Sequence, residues 1–135
     1  MRRVTTFFAS TLAMGLLGFQ LAAWPGEADQ GQALYLKYCS SCHGKDGRGD
    51  GPVSPYLKVK LPDLTLLRKN NRGIFPLSRV MSSIDGSRVV RAHGEPAMPV
   101  WGEVFEKELE AEKYPKLTTL LKVKVIAEYI STLQR

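Results

Sequence analysis

The feature that most constrains this chain is the stretch Cys39-Ser40-Ser41-Cys42-His43. Two cysteines three positions apart, with a histidine directly after the second, form the pattern of covalent c-type haem attachment. Each thiol adds across one haem vinyl group, so the two sulfurs must reach adjacent corners of one macrocycle, which a short helix-like turn allows. His43 then lies under the ring, where its imidazole can ligate the iron from the proximal side. The motif therefore predicts one covalently bound haem c.

Three other kinds of site share part of this pattern. A zinc site has four candidate ligands in Cys39, Cys42, His43 and His93. Adjacent Cys42 and His43, however, fit the usual paired spacing of zinc ligands poorly. A thioredoxin-like dithiol should follow a strand within a βαβ pattern, and no such pattern precedes Cys39. A disulfide across so small a loop would add little stability. Haem attachment is favoured, and these three remain the alternatives.

The first 23 residues have the layout of a secretory signal peptide. Two arginines at positions 2 and 3 precede a mostly apolar run over 4–23, which ends in two alanines. We expect cleavage after Ala23, with Ala22 or Ala28 as alternative sites, which leaves one domain over 24–135 in the periplasm. The competing interpretation is an uncleaved membrane anchor, because a run of about 20 residues is long enough to span a bilayer.

Composition and charge exclude other classes of function. The chain has 135 residues, of which 44% are hydrophobic and 24% charged, as in a soluble globular domain. Its formal net charge is +6, but it has no long basic run and no alternation of basic and aromatic residues. Nucleic-acid binding is therefore not expected. The glycine-rich stretch 44–52 follows no strand and lacks a terminal Gly-Lys-Ser/Thr, which argues against a phosphate-binding loop.

Four segments carry helical signals. An amphipathic pattern from Glu27 to Cys42 predicts the first helix. A second, short helix should begin after the N-cap Asp63 and end at 70–73, and a third should run from about Pro76 to Asp85. Both short helices are expected to wall the haem crevice. The segment 103–112 is marked only by its acidic composition.

The fourth segment, from Leu117 to Leu133, has the strongest helical pattern, with Thr118 as its expected N-cap. We expect it to pack across the first helix, with Gly31 allowing the two backbones to approach closely. The predicted face of the first helix contains Gly31, Leu34, Tyr35 and Tyr38. The predicted stripe of the last contains Leu120, Leu121, Val125, Ile126, Tyr129, Ile130 and Leu133.

The distal iron ligand should come from the second half of the chain. Met98 stands between prolines in a non-helical segment, which can project a thioether rigidly into a pocket, so we favour it. Met81 sits at helical spacing among apolar residues, where a role in the core is more usual. His93 would give bis-histidine ligation and a lower potential, and it is the remaining candidate.

Two further residues are candidates for contact with the haem. The carbonyl of Pro52 can accept a hydrogen bond from the outer nitrogen of His43 and so fix the orientation of the imidazole. A proline that merely stiffens the loop is the alternative. Trp101 can pack at the haem edge with its N–H on a propionate, or it can be an ordinary core tryptophan.

These residues resemble the class I cytochromes c, the small monohaem electron carriers, over essentially the whole chain after the leader. Gly31 and Tyr35 stand eight and four residues before Cys39, like the glycine and aromatic residue of the family's first helix. Cys39, Cys42 and His43 match the attachment motif of that family.

Three later stretches extend the resemblance. Gly51-Pro52 matches the loop after the motif, the stretch 98–102 looks like the axial-methionine segment, and 127–130 resembles the aromatic-bearing final helix. The resemblance implies an all-α cytochrome c fold. Three to five helices would surround one covalently attached haem, with the N- and C-terminal helices crossing.

The implied activity is periplasmic electron transfer by an iron that cycles between Fe(III) and Fe(II), with His43 and Met98 as axial ligands. Such a protein is a carrier rather than an enzyme. Redox protein partners would dock transiently, presenting an acidic face to its basic residues. The alternatives are a fixed haem subunit of a larger periplasmic oxidoreductase and a five-coordinate haem sensor or enzyme. We expect a monomer or a subunit, with membrane contact only if the leader is retained.

Overall fold

The computed structural model describes residues 26–87 and 100–135, and in this part of the chain it contains helices and turns but no strand. Three 3₁₀ turns cover Ser54–Tyr56, Leu64–Leu66 and Lys69–Asn71. The α-helices are α1 (Glu27–Tyr38), α2 (Ser40–His43), α3 (Leu77–Asp85), α4 (Trp101–Glu108) and α5 (Pro115–Thr132). The predicted all-α class is confirmed. No helix among the described residues is both long and apolar enough to span a membrane.

The helix predicted over 27–42 is divided at Cys39, so the expectation of one continuous helix is wrong. Helix α1 ends at Tyr38, and Cys39 has φ −114° and ψ −33°. The hydroxyl of Ser40 donates to the carbonyl oxygen of Leu36 at 2.6 Å. This side-chain bond competes with the backbone bond that would continue the helix. A separate turn, α2, therefore carries the rest of the motif.

Helices α1 and α5 pack directly against each other, as the sequence predicts. A Cβ atom built at Gly31 would meet the carbonyl oxygen of Val125 and lie 2.9 Å from Cβ of Tyr129. One turn further along α1, the Tyr35 ring lies 5.3 Å from the Tyr129 ring, centroid to centroid. Only glycine lets the backbones come this close, so the predicted role of Gly31 is confirmed.

The buried face of α5 differs from the predicted stripe. Leu120 and Leu121 are 49% and 51% exposed. The residues that α5 buries are Thr119, Val123, Ile126, Ala127 and Ile130, a set with the three- and four-residue spacing of one helix face. All of these except Thr119 form the core together with Tyr35 of α1, Val80 of α3 and Phe105 of α4.

The start of α5 also differs from the prediction. Tyr114 is the N-cap and Pro115 occupies the first turn, where its missing N–H costs nothing. The hydroxyl of Thr118 donates back to the carbonyl oxygen of Tyr114 at 3.0 Å. Thr118 is therefore inside the helix, and its assignment as the N-cap is wrong.

Asp63 is an N-cap, as predicted. Its carboxylate accepts bonds from the backbone N–H and the hydroxyl of Thr65, at 2.9 and 2.6 Å. These bonds, with the guanidinium of Arg135 at 2.9 Å, hold the pKa of the Asp63 carboxyl below its usual value. The backbone N–H and Nε of Arg135 also donate to Thr65, to its carbonyl oxygen and hydroxyl at 3.1 and 2.8 Å. The last residue of the chain thus binds the cap.

The segment after Asp63 forms two 3₁₀ turns instead of the predicted short α-helix. Side-chain bonds from Gln134 explain the difference. Its amide oxygen accepts the N–H of Arg68 at 2.8 Å, and its amide nitrogen donates to the carbonyl oxygen of Leu64 at 2.8 Å. Because the C-terminus takes these backbone groups, they are not available for an α-helical ladder.

Helices α3 and α4 complete the architecture. The prediction for α3 is correct to within a residue, with Pro76 as the N-cap and Gly86 as a left-handed C-cap. Helix α4 occupies most of a segment that the sequence marked only as acidic. Its Phe105 is fully buried, while its glutamates point outward.

Candidate functional site

A cavity of about 240 Å³ lies between α1, the segment 62–71, α3 and α5. Its wall is mainly apolar, and both segments that were predicted to wall the haem crevice contribute residues to it. The apolar lining includes Tyr35, Leu64, Leu67, Val80, Ile84, Trp101 and Ile130. Such a cavity suits a large, mostly apolar ligand with a few polar attachments.

The cysteine motif lies at one end of this cavity. Cys39 and His43 both line it, and His43 is 5% exposed. The N–H groups of Cys42 and His43 donate to the carbonyl oxygen of Cys39, at 3.2 and 2.9 Å, so the three residues share one turn. Both cysteines are free thiols in the structure. Burial raises the pKa of the Cys39 thiol to about 12, and the nearby Cys42 contributes a smaller part of this increase.

The loop after the motif folds back on α2. The N–H of Gly51 donates to the carbonyl oxygen of Cys42 at 3.1 Å, and the N–H of Val53 donates to that of Ser41 at 2.9 Å. A Cβ atom built at Gly51 would lie 2.6 Å from the carbonyl oxygen of Ser40, so this approach needs glycine. Pro52, between the two donors, is exposed beside the motif. Its bond to His43 stays a prediction.

A buried hydrogen bond ties the start of this loop to the core. The hydroxyl of Tyr35, a fully buried residue, donates to the carbonyl oxygen of Gly44 at 2.7 Å. Burial raises the pKa of Tyr35 well above its ordinary value, so the phenol stays protonated and remains a donor. Tyr35, which the sequence predicted for the buried face of α1, therefore holds Gly44, the residue directly after His43, in place.

Replacing Tyr35 with Phe tests this bond. We expect the free energy of unfolding to fall by about 1 to 1.5 kcal/mol, because a buried hydrogen bond is lost. Tyr38→Phe is the matched control, since its hydroxyl bonds to Glu108 at an exposed site. Urea unfolding of both variants gives the comparison. An equal decrease in the free energy of unfolding of the two variants would show that the buried bond to Gly44 stabilises the protein no more than the exposed bond to Glu108.

Trp101 forms another part of the cavity wall. Its ring packs against Tyr38 and Phe105, at 5.3 and 5.7 Å between centroids. Its Nε1 is buried and has no hydrogen-bond partner among the described residues. A buried indole N–H normally finds an acceptor. The free N–H of Trp101 and the guanidinium of Arg79 lie in the same wall and can both donate to anions. This wall therefore fits a flat apolar group with anionic substituents, such as a haem with its propionates.

Of the three residues that the sequence offers as distal iron ligands, only Met81 is among the described residues. Met81 is half-buried and packs against the core, as its spacing predicts, and it is not among the described residues that line the cavity. Met98 and His93 lie outside the described residues, as does the predicted signal peptide over 1–23. The sequence did not single out Arg79, Asn70 or Asn71, which also line the cavity, because no motif marks them.

Comparison with models of protein families gives a match over residues 26–112, to the family described as cytochrome c oxidase, cbb3-type, subunit III. The matched range contains α1 to α4, the cysteine motif, and Met98. Neither the curated proteins nor the solved structures that were compared match the chain.

Proposed function

The chain belongs to the family of cytochrome c oxidase cbb3-type subunit III, and we propose that it transfers electrons in the periplasm through a haem ligated by His43 and Met98. The family carries covalently bound haem c in an all-α cytochrome c domain, and haem-based electron transfer is its general activity. One observation carries the finer proposal. Cys39 and His43 of the attachment motif line the same mainly apolar cavity.

The two thioether bonds are assigned to Cys39 and Cys42. Covalent haem c needs thiols, and these are the only two cysteines in the sequence. Bound haem supplies an iron that takes up and releases one electron at a time. The turn of α2 holds His43 at the cavity, where the residue is buried and therefore shielded from water. Trp101 would donate its buried N–H to a propionate.

Met98 is assigned as the distal ligand. It stands only three residues before Trp101 in the sequence, and Trp101 lines the cavity. Met81, the other methionine outside the leader, packs against the core instead. A thioether ligand raises the potential and fills the sixth position, which suits electron transfer rather than ligand binding.

We assign partner docking to the surface formed by the loops that follow the Cys39–His43 motif. The loops that follow α2 expose the basic side chains of Lys45, Arg48, Lys58 and Lys60. These charges would steer the protein to an acidic face on a redox partner, with rates that fall as salt is raised. The second candidate function is that of a fixed subunit in an oxidase complex, which the description of the matched family favours.

The visible spectrum of the exported protein tests the proposal. Haem with histidine and methionine ligands should show a weak absorption band at roughly 695 nm in the oxidised protein. We expect Met98→Ala to abolish this band, while Met81→Ala, the matched control, keeps it. Loss of the band in Met81→Ala, or its survival in Met98→Ala, would overturn the assignment. Carbon monoxide binding by the reduced wild type at neutral pH would indicate a five-coordinate sensor or enzyme instead.

A further inference from the structure

One face of α4 packs against Tyr38, the last residue of α1. Trp101, Phe105 and Glu108 stand at positions i, i+4 and i+7 of α4, which is the spacing of one helix face. The ring of Tyr38 lies 5.3 Å from the Trp101 ring and 5.0 Å from the Phe105 ring, centroid to centroid, and meets both edge to face. Its hydroxyl donates to Oε2 of Glu108 at 2.9 Å. This face therefore joins two oxidisable rings, Trp101 and Tyr38, to a carboxylate.

The two ends of this arrangement have different surroundings. Trp101 lines the cavity, whereas Tyr38 is not among the described residues that line it. The side chain of Glu108 is 40% exposed, so its carboxylate is in contact with solvent. The series Trp101, Tyr38 and Glu108 thus leads from the cavity wall to the protein surface.

The charges around Tyr38 make Glu108 an acceptor for its proton. The bond from Tyr38, followed by Lys122 and then Lys37, holds the pKa of the Glu108 carboxyl below its usual value, so this group is ionised at neutral pH. Nζ of Lys122 lies 3.4 Å from Oε2 of Glu108, and Nζ of Lys37 lies 4.6 Å from the Tyr38 ring centroid. A cation beside the ring opposes a positive charge on it. An oxidised Tyr38 should therefore release its proton to the carboxylate, which is within hydrogen-bond reach.

Tyr35 lines the cavity itself, but its hydroxyl faces a different acceptor. It donates to the backbone carbonyl oxygen of Gly44 at 2.7 Å, and the residue is fully buried. Burial raises the pKa of Tyr35 well above its ordinary value. A carbonyl oxygen accepts a hydrogen bond but is not a base, so loss of the proton is costly there. Oxidation to a neutral radical is accordingly less favourable at Tyr35 than at Tyr38.

We propose that Trp101, Tyr38 and Glu108 form a relay that carries an oxidising equivalent from the haem site to the protein surface. The oxidant is a peroxide that meets the reduced protein. Hydrogen peroxide takes up two electrons and two protons and leaves as two molecules of water. One electron comes from the iron as it passes from Fe(II) to Fe(III), and the second comes from Tyr38 by way of Trp101.

The protons of this step also balance. Tyr38 becomes a neutral radical, and the proton of its hydroxyl passes to the carboxylate of Glu108. Glu108 returns that proton to solvent, which supplies the two protons that the peroxide takes up. A soluble one-electron reductant can then restore Tyr38 at the surface. Without the relay the second electron would be taken from the macrocycle or its ligands, so the relay protects the haem.

Spin trapping on the haem-loaded full chain tests the relay. The reduced protein is mixed with an equimolar amount of hydrogen peroxide and a nitroso spin trap, and peptide mass spectrometry locates the adducts. We expect the main adduct on Tyr38, which is partly buried, although Tyr56 and Tyr114 are 86 and 59% exposed. Tyr38→Phe should lose this adduct. Under excess peroxide, that variant should also lose its haem absorbance faster than the wild type.

Two further variants test the other members of the relay. Trp101→Phe keeps an aromatic ring that is harder to oxidise, and Glu108→Gln keeps an acceptor oxygen that is not a base. Each should lower the amount of adduct on Tyr38 about tenfold. Tyr114→Phe is the matched control, since it removes an exposed tyrosine and should leave the adduct on Tyr38 unchanged. The visible spectrum shows that each variant carries its haem, and Glu108→Gln, at the surface, keeps the test valid if Trp101→Phe does not.

Three results would overturn the relay. Adducts on Tyr56 or Tyr114 that exceed the one on Tyr38 would show that peroxide attacks exposed tyrosines directly. An unchanged adduct on Tyr38 in haem-loaded Trp101→Phe or in Glu108→Gln would show that the oxidation takes another route. The third result is no adduct on any tyrosine. The relay requires haem in the cavity but not Met98 as its ligand. The absorption band that tests Met98 is measured without peroxide, so the two proposals fail separately.

Discussion

Replacing both Cys39 and Cys42 with Ser is expected to abolish covalent haem and, with it, most of the folded protein. Serine hydroxyls do not form thioether bonds with vinyl groups. Without the haem, the cavity of about 240 Å³ between the helices loses the group that fills it. The described residues bury only eight hydrophobic side chains, too few to offset easily the entropy of ordering the chain.

Haem staining after denaturing electrophoresis, together with far-UV circular dichroism, measures both effects. The control is Ser40→Ala with Ser41→Ala, which keeps the two thiols and their spacing. It loses the bond from Ser40 to Leu36, worth about 1 kcal/mol, and should retain its haem. Covalent haem in the Cys39→Ser and Cys42→Ser protein would refute the assignment of the thioether bonds.

We expect Gly31→Ala, which adds a single methyl group, to destabilise the protein more than any other small substitution on α1. Gly→Ala in the middle of a helix normally stabilises it by up to about 1 kcal/mol. Here the new Cβ would meet the carbonyl oxygen of Val125 and Cβ of Tyr129, so α1 and α5 must move apart. Because a backbone atom cannot turn away as a side chain can, we expect a net loss of about 2 to 3 kcal/mol.

Urea unfolding of the haem-loaded protein measures this loss, and Gly26→Ala is its control. Gly26 precedes α1 with φ −64°, and a Cβ atom built there meets nothing within 4 Å. That substitution should change the free energy of unfolding by less than about 0.5 kcal/mol. A Gly31→Ala protein as stable as the Gly26→Ala protein would show that α1 and α5 do not depend on this close approach.

Local patterns predicted the buried face of the first helix and the cap at Asp63. The periodicity of α1 identified Gly31 and Tyr35 as residues of its buried face, and both are buried. Asp63 caps the next residues because its short carboxylate reaches the N–H of Thr65, two positions away. The cap depends only on side chains two residues apart, and the spacing of apolar residues within one helix marks the face that α5 then covers, so a sequence pattern is informative for both.

The errors have causes that no local pattern contains. Leu120 and Leu121 fit the predicted apolar stripe, yet they are exposed because α1, α3 and α4 cover the other side of α5. The segment after Asp63 is not an α-helix because Gln134 and Arg135, about seventy residues later, bond to its backbone. Helix α4 was not predicted because its glutamates mask a short apolar face, in which Phe105 is buried and Trp101 and Val104 pack against the core.

By itself, the sequence determined the chemistry of the cofactor and the class of fold. Covalent attachment needs two thiols and a histidine at fixed spacing, and five consecutive residues contain all three. Only the tertiary structure decided what surrounds that motif. Trp101 and Arg79 reach the cavity, and Tyr35 reaches Gly44, because helices distant in the chain pack together. The same packing decided which leucines of α5 remain at the surface, since burial depends on neighbouring helices and not on the residue itself.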